Sequence, residues 1–158
     1  MRKNFRRTLG LVVLLFVVGC GYEARAQDNP TPAQGGAPSL YKRLGGYDAL
    51  AAVTDDFIGR LVSDKSLGRF FGGASDDSKK RIRQLVVDQL CAATGGPCLY
   101  IGRSMKTVHE GLGITEEDWN LAVKHLGDTL NKFKVAKPEQ DDLIKILAPL
   151  KADIVDKK

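Results

Sequence analysis

Apolar residues recur at intervals of three and four through most of this 158-residue chain, and this spacing limits its fold more than any other feature. Such intervals place side chains on one face of an α-helix. The apolar positions of the four longest segments are Leu50, Val53, Phe57, Ile58 and Leu61; Ile82, Leu85, Val86, Leu90 and Ala93; Trp119, Ala122, Val123, Leu126, Leu130 and Phe133; and Leu143, Leu147, Leu150 and Ile154. No segment shows convincing strand alternation, so we expect an all-α domain with about four long helices.

Local signals predict where these helices begin and end. The predicted boundaries are a Gly45-Gly46 break, a short turn or helix over residues 65–71, a cap at Asp76 and Asp77, a stop at residues 95–97, a capping box of Thr115 with Asp118, and an opening at Pro138. The last helix is expected to run without interruption through Ile154.

The first 26 residues are predicted to form an export signal. An apolar run over residues 9–19 is too short to span a bilayer well as a mature helix. The basic residues before it are Arg2, Lys3, Arg6 and Arg7. The protein is therefore expected in the periplasm.

Two cleavage sites compete, and an uncleaved anchor is a third alternative. A lipobox ending at Cys20 would leave a lipidated cysteine, whereas an A-x-A site at residues 24–26 would release the chain. Residues 27–38, rich in proline and glycine, are predicted to be a flexible linker, and residues 39–158 the folded domain. Contact with a membrane is expected only through the signal or a lipid anchor.

The basic character of the whole chain comes from this leader. Residues 1–26 contain five of the 24 Lys and Arg residues and one of the 19 acidic residues, so the remainder is close to neutral. A neutral domain gives no reason to expect a nucleic-acid partner.

Cys91 and Cys98 lie seven residues apart around a glycine turn. In an oxidising compartment they could form a disulfide, or they could remain two reduced thiols. Without a nearby pair of histidines they would make a poor zinc site.

His109 is one of only two histidines, and it lies on a short helical turn that Gly111 and Gly113 end at once. Met105 and Val108 place apolar atoms beside the imidazole. A carbonyl of such a turn can hold one ring nitrogen and leave the other free for a metal. A lone histidine is more often structural, which is the interpretation we favour for His125 in the following helix.

The order of several short motifs resembles that of the group I truncated haemoglobins over about residues 39–155. The motifs are Ser39 to Gly46, Asp56-Phe57, Phe70-Phe71, Gly95-Gly96-Pro97, Met105-Lys106-x-Val108-His109, Gly113-Ile114 and His125-Leu126. The resemblance implies a two-over-two helical sandwich that holds haem b. It also implies that His109 is the proximal iron ligand, that Phe71 packs on the haem, that Tyr100 and Met105 line it, and that Arg81 lies near the propionates.

The distal side departs from this family. Ile58 stands where family members commonly have a tyrosine. The segment between Phe71 and Gly95, which contains the distal helix, is longer than in the better-known members. Counting back from Gly95 places Ile82 and Val86 over the iron. A shifted register of this helix would turn Leu85 or Gln84 toward the iron instead, and Gln84 would then be an alternative distal hydrogen-bond donor. The same shift would place Arg83, in place of Arg81, near the propionates.

The resemblance implies a monomeric globin that reversibly binds O2, NO or CO. With an apolar distal side, we expect a five-coordinate ferrous iron, fast O2 release and weak discrimination against CO or NO. A haem-dependent NO dioxygenase or peroxidase-like enzyme, with a reductase partner, is the second hypothesis. A helical interaction module without haem is the third. No other catalytic constellation is present.

Overall fold

The computed structural model describes residues 37–156, and all structural statements below concern that part of the chain. The predictions for the signal, both cleavage sites and Cys20 lie outside it.

Within these residues the protein is helical, with no β-strand. The α-helices are α1 (Leu40–Arg43), α2 (Gly46–Ser63), α3 (Asp76–Ala93), α4 (Met105–His109), α5 (Glu116–Lys132), α6 (Lys137–Leu147) and α7 (Lys151–Ile154); 3-10 helices cover Gly68–Phe71 and Ala148–Leu150. The all-α prediction and its four long helices are confirmed.

Short polar side chains begin several of these helices. The predicted capping box of α5 is present, because Thr115 and Asp118 each accept a hydrogen bond from the other's backbone N–H. The prediction for α3 was wrong by one residue. Ser75 is the cap and accepts from the Ser78 N–H, while Asp76 and Asp77 occupy the first turn, where their charge complements the helix dipole.

The final helix is not continuous, contrary to the prediction. α6 ends at Leu147, a 3-10 turn follows, and α7 begins at Lys151. Pro149 explains the break, because it has no N–H to donate to the carbonyl one turn earlier.

The core lies between α2, α3, α5 and α6. α2 packs against both α3 and α5, and α6 packs against α1. The buried cluster consists of Leu40, Leu50, Val53, Leu90, Cys91, Leu126, Leu130 and Leu143. α4 lies outside this cluster and makes its most extensive contact with α7. The His109 segment is therefore seated on the C-terminal end of the domain.

No α-helix within residues 37–156 has the length and apolar character needed to cross a bilayer.

Candidate functional site

His109 is half-buried at the C-terminal end of α4, and its ring is oriented by its own helix. Nδ1 lies 2.8 Å from the carbonyl oxygen of Met105. A carbonyl can only accept a hydrogen bond, so Nδ1 carries the proton and Nε2 of the neutral ring has a free lone pair. Among the described residues, no hydrogen-bond partner engages Nε2. This is the arrangement of a histidine that is ready to bind a metal.

The segment that leads into α4 is shaped around Tyr100. The Tyr100 hydroxyl donates to the carbonyl of Arg103 over 2.7 Å. Burial raises the pKa of this phenol, which keeps the donating proton in place. The ring lies directly against Gly102, where a Cβ atom would come within 2.3 Å of the hydroxyl oxygen. Tyr100 and Met105 are both half-buried.

A disulfide joins α3 to this same segment. Cys91, fully buried on α3, is bonded to Cys98. Gly96 is packed between the Tyr41 ring and Cys91, since a Cβ there would come within 2.8 Å of atoms of both residues. Of the two alternatives left open by the sequence, the structure has the disulfide, and within residues 37–156 no cluster of His, Cys, Asp or Glu could hold a metal ion.

The loop after α4 is held by the end of the chain, a contact that sequence reasoning missed. The Gly113 N–H donates to the Asp156 carboxylate over 2.6 Å, and the Asp156 N–H donates to the Ile114 carbonyl over 2.9 Å. We call this pair of hydrogen bonds the C-terminal clasp. No local signal could reveal it, because its partners are 43 residues apart.

The predicted distal residues lie on α2 and α3. Ile82 is exposed on α3, Val86 is half-buried and packs against the core cluster, and Ile58 on α2 is half-buried. Ile58 lines an open cleft between these two helices together with Arg83 and Gln84. None of the three predicted side chains carries a hydrogen-bond donor.

Gln84, the alternative distal donor, is held by other side chains. Its Nε2 donates to the Tyr47 hydroxyl over 2.8 Å and to the Asp88 carboxylate over 2.9 Å. Both protons of the amide are therefore used, one across to α2 and one within α3.

The two candidate propionate partners, Arg81 and Arg83, differ in whether another side chain already engages them. Arg83 is engaged by Asp55 through two hydrogen bonds of 2.7 and 2.9 Å, and the guanidinium holds the pKa of that carboxyl below its ordinary value. Arg81 is exposed and has no side-chain partner among the described residues. Of the two, only Arg81 has a guanidinium free for an anionic group.

Two further residues singled out by the sequence are Phe71, which follows α2 in the chain, and His125 on α5. Phe71 is half-buried at the end of its 3-10 helix. His125 Nε2 lies 2.9 Å from the Asp64 carboxylate. Asp64 also accepts from the backbone of Ser66 and Leu67, so His125 braces this turn. This contact agrees with the structural role favoured for His125.

The residues present fit a haem group. His109 offers Nε2, which has no hydrogen-bond partner among the described residues. Apolar side chains beside it and on α3 remain uncovered: Ile82, Val108 and Leu112 are 37%, 41% and 43% exposed. Gly111 and Gly113 have positive φ angles, and a Cβ added at either would meet no atom within 4 Å, so the backbone beyond the histidine leaves room for a flat ligand.

Comparisons with known proteins agree with this arrangement. The sequence model of the bacterial-like globin family matches residues 39–156. The Group 1 truncated hemoglobin GlbN of Mycolicibacterium paratuberculosis is 36% identical over 116 residues, which are 73% of this chain and 83% of that protein. The Group 1 truncated hemoglobin LI410 of Chlamydomonas moewusii is 29% identical over 84% of this chain and 77% of that protein.

Solved structures show the same fold. The 2/2 hemoglobin from Synechococcus sp. PCC 7002, determined with covalently attached heme, superposes with a TM-score of 0.69 at 26% identity, over 76% of this chain and all of that chain. The truncated hemoglobin from Tetrahymena pyriformis in the Fe(III) form reaches 0.70 at 23% identity over the same shares. The expected two-over-two fold is confirmed, whereas the roles of individual site residues stay predictions.

Proposed function

Because this chain belongs to the bacterial-like globins, and among them to the group 1 truncated haemoglobins, we propose that it holds haem b through His109 and binds a diatomic gas reversibly. The observation that carries this proposal is the orientation of the His109 ring. Nδ1 is hydrogen-bonded to the Met105 carbonyl, and Nε2 has no hydrogen-bond partner among the described residues.

When bound, haem would supply an iron that can bind O2, NO or CO, and His109 would hold that iron through Nε2. The hydrogen bond from Nδ1 to Met105 orients the His109 ring and makes Nε2 a better ligand. Tyr100 and Met105 supply apolar surface on the segment that carries His109. Phe71 adds an aromatic ring, and Arg81 offers its unpaired guanidinium to the propionates.

The lack of hydrogen-bond donors among the distal side chains governs the dissociation rate of the bound gas. Ile58, Ile82 and Val86 offer no hydrogen bond, and Gln84 is occupied by Tyr47 and Asp88. A donated hydrogen bond is worth on the order of 1–3 kcal/mol, which is about 5- to 150-fold in a dissociation rate. We therefore expect fast O2 release, weak discrimination against CO or NO, and a five-coordinate ferrous iron.

The same observation separates gas binding from the alternative enzymatic role. NO dioxygenation benefits from a polar distal donor and needs a reductase. Gln84, the distal donor that the sequence offered on α3, is bonded to Tyr47 and Asp88, so a reversible gas-binding role is favoured.

Absorption spectra of the purified protein in ferric, ferrous and CO-bound forms test the proposal. His109→Ala is expected to abolish or strongly change the Soret band, because it removes the only proposed iron ligand. His125→Gln is the matched control, since it alters the other histidine, and it should leave the spectrum unchanged. Absence of stoichiometric haem in the unaltered protein after reconstitution would refute the proposal.

We also propose that the chain is exported and tethered to a membrane through a lipidated Cys20. The support is the basic and apolar pattern of the leader, with the cysteine directly after the apolar run. Intact mass of the protein from an exporting bacterial host distinguishes the alternatives. A diacylated chain that begins at Cys20 supports the tether, whereas an unmodified chain that begins near Gln27 refutes it.

A further inference from the structure

Leu99 and Ile101 are the most exposed large apolar side chains of the described residues, at 78% and 77%. They flank Tyr100, whose ring is half-buried against Gly102. Both side chains lie on the loop between α3 and α4 and are largely in contact with water. Packing in the core does not account for aliphatic residues at these two positions. We call residues 97–103 the apolar loop.

This loop is held in place. The Cys91–Cys98 disulfide fixes one end to the buried face of α3, and the bond from Tyr100 to Arg103 fixes the other. A loop held in this way presents its apolar side chains already ordered, so covering them loses little conformational entropy.

The charged side chains that neighbour the apolar loop in the sequence are basic, and they have no ion-pair partner among the described residues. Between Gln89 and His109 the only charged side chains are Arg103 and Lys106, and no acidic residue occurs there. Neither forms an ion pair with a described residue, and neither does Lys42 on α1. α1 lies against the base of the loop, where the Tyr41 N–H donates to the Thr94 carbonyl over 2.8 Å. Arg43, by contrast, is already paired with Glu139 and Asp142.

Ser39, directly before α1, lies at the same corner of the domain as Gly95. A Cβ on Gly95 would lie 3.2 Å from the Cβ of Ser39, the residue that caps α1. Cys20 precedes Ser39 by 19 positions. At no more than about 3.5 Å per residue, a lipid on Cys20 would keep this corner within about 70 Å of the bilayer.

We propose that the apolar loop docks on an anionic lipid bilayer, with Leu99 and Ile101 inserted among the acyl chains and Arg103, Lys106 and Lys42 facing the headgroups. Apolar side chains beside basic ones match the chemistry of an interfacial membrane contact. This inference rests on the proposed lipid tether. The tether makes the contact intramolecular, so a weak insertion suffices for a persistent contact.

A second copy of the chain is a poorer occupant of this loop. A stable interface buries about 800 Å² on each partner, far more than two aliphatic side chains supply.

Depth-dependent fluorescence quenching tests the contact with the full chain in phosphatidylethanolamine–phosphatidylglycerol vesicles that carry brominated acyl chains. The native tryptophan is first replaced by Trp119→Phe, and Leu99→Trp then places a probe in the apolar loop. Phe133→Trp is the matched control, because Phe133 is an exposed apolar residue elsewhere, at the end of α5. We expect at least twofold quenching at position 99 and little at position 133. We also expect the quenching at position 99 to fall at least twofold at high salt or with Ile101→Ser.

Flotation and haem absorbance, measured on the same samples, separate the possible failures. Vesicles that float with the chain but do not quench position 99, or that quench both positions equally, overturn the docking surface and leave the tether intact. A chain that does not float overturns both. Dimerisation that Leu99→Ser abolishes also overturns the assignment to lipid. Bromine quenching is taken as the ratio of the fluorescence in brominated vesicles to that in vesicles of the same composition without bromine, so quenching of the probe by haem cancels. Loss of the Soret band in the unaltered chain would then refute the gas-binding proposal alone.

Discussion

At the scale of single residues, the close contact between Gly102 and Tyr100 is a sensitive point of the site. We expect Gly102→Ala to displace the Tyr100 ring, because the added methyl group would overlap its hydroxyl end. The expected loss is about 1–3 kcal/mol in the free energy of unfolding, with faster haem loss. Urea denaturation and haem transfer to an acceptor protein measure the two effects.

Gly127→Ala is the control for this prediction. Gly127 lies inside α5 with no atom within 4 Å of an added Cβ. Alanine there should raise the free energy of unfolding by up to about 1 kcal/mol, because it favours the helix. Equal effects of the two substitutions would show that the Tyr100 contact has no special importance.

Single residues also show where prediction from sequence reaches its limit. The orientation of His109 is set by a carbonyl four residues earlier, so a helical turn was enough to predict it. Gln84 is different, because its partner Tyr47 is 37 positions away on another helix. The bond to Asp88 lies within one helical turn, but no local pattern shows that Tyr47 takes the second amide hydrogen bond.

At the scale of elements, the C-terminal clasp holds the loop that follows α4. We expect Asp156→Ala to loosen the Gly113–Ile114 backbone and to speed haem loss, because it removes the acceptor of the Gly113 N–H. Asp156→Asn keeps an acceptor oxygen and should restore most of the effect. Amide hydrogen exchange at Gly113, measured with and without haem, reports on the clasp directly.

Asp153→Ala, in the helix that directly precedes Asp156, provides the comparison. Asp153 is exposed on α7 and has no side-chain partner among the described residues. Exchange at Gly113 should not change in this variant. If both alanine variants accelerate exchange alike, α7 as a whole is responsible and the clasp is not.

Element boundaries were predictable to the extent that their causes are local. The capping box at Thr115 and the stop after α3 depend on neighbouring residues, and both were found. The break at Pro149 was missed because the apolar spacing continues through it from Leu147 to Ile154. The spacing of apolar residues indicates which face of a helix is buried. It does not indicate whether the backbone hydrogen bonds continue along the helix.

At the scale of the whole molecule, ion pairs that cross between helices make stability depend on pH. Asp56 on α2 accepts hydrogen bonds from Lys132 and Thr129 on α5 and from Arg60 on its own helix. Lys132 first, then Arg60, holds the pKa of this carboxyl well below its ordinary value.

A carboxyl with a lowered pKa in the folded state stabilises the fold above its unfolded pKa, which is about 3.9. That contribution is lost as the pH falls below this value toward the folded pKa. We therefore expect the free energy of unfolding to fall from about pH 5 to pH 3, and to fall less steeply in Asp56→Asn. Asp48→Asn, which changes an exposed carboxylate on the same helix, should keep the original slope in urea titrations at each pH.

The whole-molecule fold was predictable because helical spacing extends over almost all of residues 39–156 and the motif order resembles one family. The packing partners of α4 were not, since α4 has only five residues and no apolar stripe of its own. Its seat on α7 depends on contacts between distant parts of the sequence.

The C-terminal clasp also sets an order of assembly during synthesis. Asp156 follows every described helix, so a chain growing on the ribosome has made His109 long before it has made the residue that secures the loop behind it. The core formed by α2, α3 and α5 can pack earlier. Seating of the His109 segment is therefore a late step that waits until Asp156 has been synthesised and has left the ribosome.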